Sequence, residues 1–88
     1  MSRLFPAGCL YITHGINDLI IQGTDITPYL NRHLHGDWGD ICDDDKNANN
    51  HAVSSGGMIL SAYQVTAESK IWILTDGGTT TIMLPCEY

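Results

Sequence analysis

Hydrophobic residues follow helical spacing in the first part of the chain. Ile16, Leu19 and Ile20 recur every three or four residues after Thr13, a residue type that favours the first position of a helix. A glycine ends this stretch, although Gly15 inside it disfavours helix. The pattern predicts a short helix that begins after Thr13.

Two further stretches, residues 27–36 and 44–54, also begin and end with residues that are typical of helix ends. The first opens with Thr-Pro and ends at a glycine, as helices commonly do. The second follows a run of aspartates, has Ala48 and Ala52 four residues apart, and stops before Gly-Gly. Only its small residues can pack closely, so we expect the rest of that helix to be exposed to water. Residues 1–56 are therefore predicted to be the helical part.

In residues 57–88 the hydrophobic spacing is no longer helical and is typical of strands. Three short stretches rich in β-branched and aromatic residues are separated by "TAES" and "DGG", which predicts an antiparallel meander. In its middle strand, Ile71 and Ile73 point to one face. Trp72 and Leu74 point to the other face, and the sequence does not indicate what covers them.

These elements predict one α+β domain spanning residues 1–88. Two or three short N-terminal helices would pack on one face of a three-stranded antiparallel sheet, the C-terminal meander. A chain of 88 residues can bury one modest core and little more. Apolar residues make up 43% of the chain and charged residues 16%, which excludes a disordered segment.

The net charge of the chain indicates which classes of partner it can bind. Ten acidic residues oppose four basic ones, for a formal net charge of −6. This balance argues against direct nucleic-acid binding and favours basic partners, although acidity can also serve solubility alone. No run approaches the roughly 18 apolar residues of a membrane span, and no signal peptide is apparent. The three cysteines lack a CxxC pair, so we expect reduced thiols and a cytoplasmic protein.

Residues 33–45, "HLHGDWGDICDDD", contain many potential ligands. On a helix, His33 and His35 would point about 200° apart, and no second cluster completes a zinc site. We expect His33 instead to pack or hydrogen-bond near the helix end, where a cation is favoured. The aspartates next to Cys42 disfavour a thiolate, so a free, partly buried thiol is expected. The sequence predicts that the protein is not an enzyme and that it binds no metal or other cofactor.

In the same segment, Trp38 is expected to be structural and the aspartates are expected to bind a partner. Trp38 lies between two glycines, which predicts a tight turn around a buried indole. A helix start needs one carboxylate, and this segment has more than capping requires. We therefore expect a partner-binding surface. Its predicted residues are Asp37, Asp40, Asp43, Asp44 and Asp45, with Glu68 and Asp76 in hairpin turns at opposite ends of the middle strand, of which at most one should join.

Four strings, "RHLHGDWGDICDDDKNANNHAV", "GGMILSAYQV", "KIWILTD" and "TTTIMLPCEY", resemble a family of small proteins encoded on plasmids, phages and other mobile elements. The family pattern is roughly RHxxGDWGD, then GGxxLSAY, IWIxT and TTxLLPEEY. This chain departs from the pattern in the short "DGGT" after the second strand and in "CE" where the family has two glutamates.

Within that context the sequence is similar to anti-CRISPR proteins against type I systems, type I-C among them. The resemblance implies a non-enzymatic monomer in the bacterial host cytoplasm that binds a CRISPR effector (Cas) protein with a basic DNA-binding groove. It would block target DNA by mimicry, without contacting nucleic acid or membrane itself. The alternatives are a metal-binding or enzymatic accessory protein of a mobile element, and a structural partner that uses the sheet face around Trp72.

Overall fold

The computed structural model of the chain describes residues 3–88 and contains three helices and a four-stranded sheet. The predicted α+β class is confirmed, and all three helices lie close to their predicted positions. Within residues 3–88 no helix combines the length and apolar character needed to cross a membrane. The elements are β1 (Cys9–Ile12), α1 (His14–Ile21), α2 (Thr27–Leu34), α3 (Asp43–Ser55), β2 (Ile59–Gln64), β3 (Lys70–Asp76), β4 (Thr79–Met83) and a 3-10 turn (Pro85–Glu87).

The sheet has the order β1-β4-β3-β2 and is mixed. Strands β2, β3 and β4 form the predicted antiparallel meander, but β1 adds a parallel strand along β4, with Cys9 aligned to Thr79 and Ile12 to Ile82. The prediction of a purely antiparallel three-stranded sheet is therefore wrong, as is the wholly helical description of residues 1–56. A four-residue strand whose partner lies near the other end of the chain leaves no local pattern to detect.

The core lies between the sheet and helices α1 and α2. Ile71 and Ile73 point into it from β3, whereas Trp72 and Leu74 are half-buried on the opposite face, as the alternation predicted. The ring of Trp72 meets Tyr88 edge-on at 5.7 Å, so the C-terminal residue partly covers that second face. The fully buried members of the core cluster are Ile16, Tyr63, Ile71, Ile73 and Ile82.

The C-terminal turn is fastened to the start of α1. Thr13 is the N-cap residue as predicted, but its hydroxyl donates to the Glu87 carboxylate, which also accepts from the Gly15 N–H. A Cβ on Gly15 would lie 2.4 Å from Leu84 Cδ1. Gly15 disfavours helix, but a residue with a side chain at this position would collide with Leu84 beside the C-terminal turn.

Candidate acidic docking surface

The loop between α2 and α3 is held against the outer edge of β2. The Asp40 N–H donates to the Ala62 carbonyl at 2.7 Å, and the Ala62 N–H donates to the Trp38 carbonyl at 3.2 Å. Between them Gly39 has φ +73°, and a Cβ there would lie 2.0 Å from the Ala62 oxygen. Only glycine permits this approach, so the loop backbone has one position relative to the sheet.

Trp38 anchors the same loop from inside. Its side chain is 4% exposed, which confirms the predicted buried indole. The ring N–H donates to the Asn50 side-chain oxygen at 3.0 Å, and Phe5 stacks on the ring at a centroid distance of 6.2 Å. One side chain therefore joins the loop, α3 and the N-terminal segment.

Asn49 fastens α3 to the sheet edge. Its amide N–H donates to the Leu60 carbonyl at 2.8 Å, and its side-chain oxygen accepts from the Leu60 N–H at 3.2 Å. The side chain thus pairs with β2 as a neighbouring strand would. We expected Ala48 and Ala52 to form the packed face, but Ala48 is exposed and the buried residues of α3 are Asn49 and Ala52. No sequence signal separates such an asparagine from an exposed one.

Three of the predicted docking residues, Asp43, Asp44 and Asp45, form the first turn of α3. All three are exposed, and the N-cap residue Cys42 makes no side-chain capping bond. Carboxylates at this end of a helix are stabilised by the helix dipole. Successive residues are rotated by about 100°, so the three carboxylates surround the helix end and do not line up on one side.

Asp37 is also exposed, but its charge is already paired. Arg32 Nε donates to Asp37 Oδ2 at 2.7 Å, and the Gly39 N–H donates to Oδ1 at 3.3 Å. The hydrogen bond from Arg32 holds the pKa of Asp37 below its usual value. Because a cation already neutralises it, Asp37 adds less negative potential than Asp40, which is exposed and makes no ion pair within residues 3–88.

Glu68 and Asp76 lie at opposite ends of β3, and Asp76 lies apart from this segment. Asp76 ends β3 and borders the groove that the C-terminal turn of α3 lines. Helix α3 is about 20 Å long, so Asp76 lies far from the aspartates at its N-terminal end. Glu68 is in the turn that precedes β3, at the other end of that strand. The structure thus groups the five aspartates of the loop and first helical turn and separates Asp76 from them.

His33 is a buried structural residue. It has no exposed surface, and its two ring nitrogens lie 2.6 Å from Ser61 Oγ and 2.9 Å from Thr75 Oγ1. The predicted packing and hydrogen bonding are confirmed. Burial lowers the pKa of His33 to about 4, so the ring is neutral near pH 7 and supplies no cation to the helix end.

A directed chain of hydrogen bonds sets the tautomer of His33. The Thr80 hydroxyl donates to the Ala7 carbonyl, which can only accept, so Thr80 must accept from Thr75. Because the Thr75 hydroxyl already donates its proton to Thr80, its oxygen accepts from the Nε2–H of His33. The Nδ1 atom is consequently the acceptor for Ser61, and both ring nitrogens are used inside the core.

Within residues 3–88, no three His, Cys, Asp or Glu side chains come together as a metal site would require. Cys9, Cys42 and Cys86 are free and exposed. The expectation that Cys42 is partly buried is wrong, because it occupies the start of α3, where the chain turns outward to solvent.

Comparison with protein-family models, with curated proteins and with solved structures found no match for this chain. The site is therefore interpreted from its own geometry and charge. Its chemistry is that of a group of exposed carboxylates, Asp40, Asp43, Asp44 and Asp45, which can bind cationic side chains.

Proposed function

We propose that this protein is a non-enzymatic inhibitor that binds the basic DNA-binding groove of a type I CRISPR surveillance complex and excludes target DNA. The observation that best supports the proposal is the placement of Asp40, Asp43, Asp44 and Asp45. They are exposed within six residues, on a backbone that main-chain bonds and Asn49 hold to the sheet. The resemblance to mobile-element proteins supplies the identity of the partner.

The physical basis is competition for the same cationic side chains. Duplex DNA presents about one charge per 1.7 Å of axis, and a protein that binds it with Lys and Arg releases condensed counterions. Because the backbone that carries these carboxylates is already held to the sheet, less conformational freedom is lost when they meet those side chains, which favours binding. Because the carboxylates surround a helix end, the fit is to a concave basic groove that encloses α3 end-on.

Removal of the charges at the start of α3 tests the proposal. In the triple variant Asp43→Asn, Asp44→Asn and Asp45→Asn, side-chain size is kept and asparagine is tolerated at a helix start. We expect the concentration for half-inhibition to rise on the order of 100-fold, at about 1 kcal/mol per lost interfacial charge. The measurement is binding of a fluorescent target duplex by a purified type I-C surveillance complex at rising inhibitor concentration.

A matched control has the same change in net charge elsewhere. The triple variant Asp18→Asn, Asp25→Asn and Asp76→Asn replaces exposed acids on α1, before α2 and at the end of β3. We expect it to inhibit as well as the unmodified protein. Equal losses in the two triple variants, or full inhibition by the first, would show that the start of α3 is not the docking surface.

A further inference from the structure

The two edges of the sheet differ in whether their outward-facing main-chain N–H and C=O groups are bonded. At the β2 edge, the outward-facing groups of Leu60 bond to Asn49, and those of Ala62 bond to Trp38 and Asp40. That edge has no exposed pairing groups at these positions. Natural proteins cover sheet edges in this way because an uncovered edge pairs with other chains. The other edge is β1.

The main-chain groups of β1 alternate between β4 and the outside. The N–H of Cys9 donates to the Gly78 carbonyl at 3.0 Å, and the N–H of Thr13 donates to the Ile82 carbonyl at 3.1 Å. These residues, with Tyr11 between them, therefore face β4. Since strand residues alternate, the N–H and C=O groups of Leu10 and Ile12 point away from the sheet.

The side chains along this edge are apolar and exposed. Leu10 is 48% exposed, Tyr11 59% and Ile12 42%. An open edge flanked by apolar side chains is the kind of surface that marks an interaction site.

We propose that two copies of this protein pair through β1 in antiparallel orientation, so that the two four-stranded sheets become one continuous sheet. In the register that places Tyr11 opposite its own copy, Leu10 of each copy lies opposite Ile12 of the other. The outward N–H and C=O groups of both residues are then bonded in both copies. A strand centred on Tyr11 is suited to the two-fold symmetry that most homodimers have.

Charge favours a second copy as the occupant. Residues 4–13 contain no charged side chain, although the whole chain has a net charge of −6. A basic partner would find no acid on this strand, whereas a second copy meets no like charge. Three strand spacings of about 4.8 Å separate β1 from β2, and the aspartates lie beyond β2, so the acidic surfaces of the dimer would be at least about 30 Å apart.

The pairing does not depend on the proposed inhibition, and its tests need only this protein. Sedimentation equilibrium of the unmodified protein should give twice the 9.7 kDa of one chain. The double variant Leu10→Lys and Tyr11→Lys should give the mass of one chain, because like charges would face each other across the pairing. The control variant Met58→Lys replaces a residue of similar exposure beside β2 and should remain a dimer.

Cross-linking tests the register without disturbing the fold by charge. With the three native cysteines changed to serine, the variant Tyr11→Cys should form an intermolecular disulfide under mild oxidation. Directly opposed residues without mutual hydrogen bonds have Cα atoms about 4.5 Å apart, within the range that a disulfide spans. A Met58→Cys variant in the same background is the control. A single-chain mass for the unmodified protein, a dimer that survives the double lysine variant, or equal cross-linking at both positions overturns the proposal.

Discussion

Single residues in this protein have roles that their sequence neighbours do not indicate. His33 lies in a segment rich in potential metal ligands, yet its two ring nitrogens bond to the core hydroxyl groups of Ser61 and Thr75. Asp37, in the same segment, pairs with Arg32, whereas Asp40 three residues later does not within residues 3–88. At this scale, function depends on which polar groups the fold has already satisfied.

His33 predicts a loss of stability on acidification. Its pKa is lowered from 6.5 to about 4 by burial, so the unfolded chain takes up a proton before the folded protein does. The stability it contributes is complete above pH 6.5 and is lost as the pH falls toward 4. The loss should reach about 3 kcal/mol in the free energy of unfolding. Urea denaturation at a series of pH values measures it.

A His33→Gln variant is the control for this titration. Glutamine can donate one hydrogen bond and accept another, but it does not titrate. The variant should therefore be less stable than the unmodified protein at pH 7. It should also lose less stability between pH 6.5 and 4. Direct observation by NMR of the His33 ring should give a midpoint near 4. A midpoint near 6.5 would contradict the inference that the ring is neutral and buried.

At the scale of elements, α3 is held by both polar and apolar contacts. Its Asn49 bonds to the main chain of Leu60, and its Ala52 packs with Trp38 and Ile59 in a second apolar cluster. Ala52 is close-packed, and the first turn is exposed. The geometry of the acidic surface therefore depends on Asn49 as much as on the aspartates themselves.

Asn49→Ala should loosen α3 from the sheet. The substitution removes both partners of the Leu60 main-chain groups, which are partly covered, and such a loss costs about 1–3 kcal/mol. We expect a corresponding fall in the free energy of unfolding and faster amide exchange in α3. The exposed Asn47 provides the control, since Asn47→Ala should leave stability nearly unchanged. Equal stability of the two variants would argue against the role assigned to Asn49.

On the scale of the whole molecule, charge and apolar surface lie at opposite edges of the sheet. The acidic segment lies beyond β2, and the uncharged β1 forms the other edge. This separation permits the two proposed contacts to coexist. A dimer through β1 would present an acidic surface at each end.

Salt dependence distinguishes an electrostatic inhibitor from an apolar one. If four carboxylates take the place of DNA phosphates, affinity for the surveillance complex should fall as salt rises from 50 to 200 mM, because salt screens their attraction to the basic groove. The β1 contact is uncharged, so the dimer should persist over the same range. A titration of complex binding at several salt concentrations measures the first effect. A flat response would contradict docking through Asp40, Asp43, Asp44 and Asp45.

Local signals in the sequence were sufficient for most elements. The three helices follow from cap residues, glycine stops and helical spacing, and the meander follows from alternation, because these features act within a few residues of one another. The same is true of the buried Trp38 between its glycines. The acidic total and its concentration in residues 37–45 can also be counted directly from the sequence.

The tertiary structure decided what depends on residues distant in the chain. The parallel strand β1, the core hydrogen bonds of His33 and the attachment of Asn49 to Leu60 all join segments that local patterns treat separately. The helical rotation of the first turn also spreads the aspartates of α3 around its axis. The physical reason is common to all: a polar or short segment has no preferred partner until packing brings one within hydrogen-bonding distance.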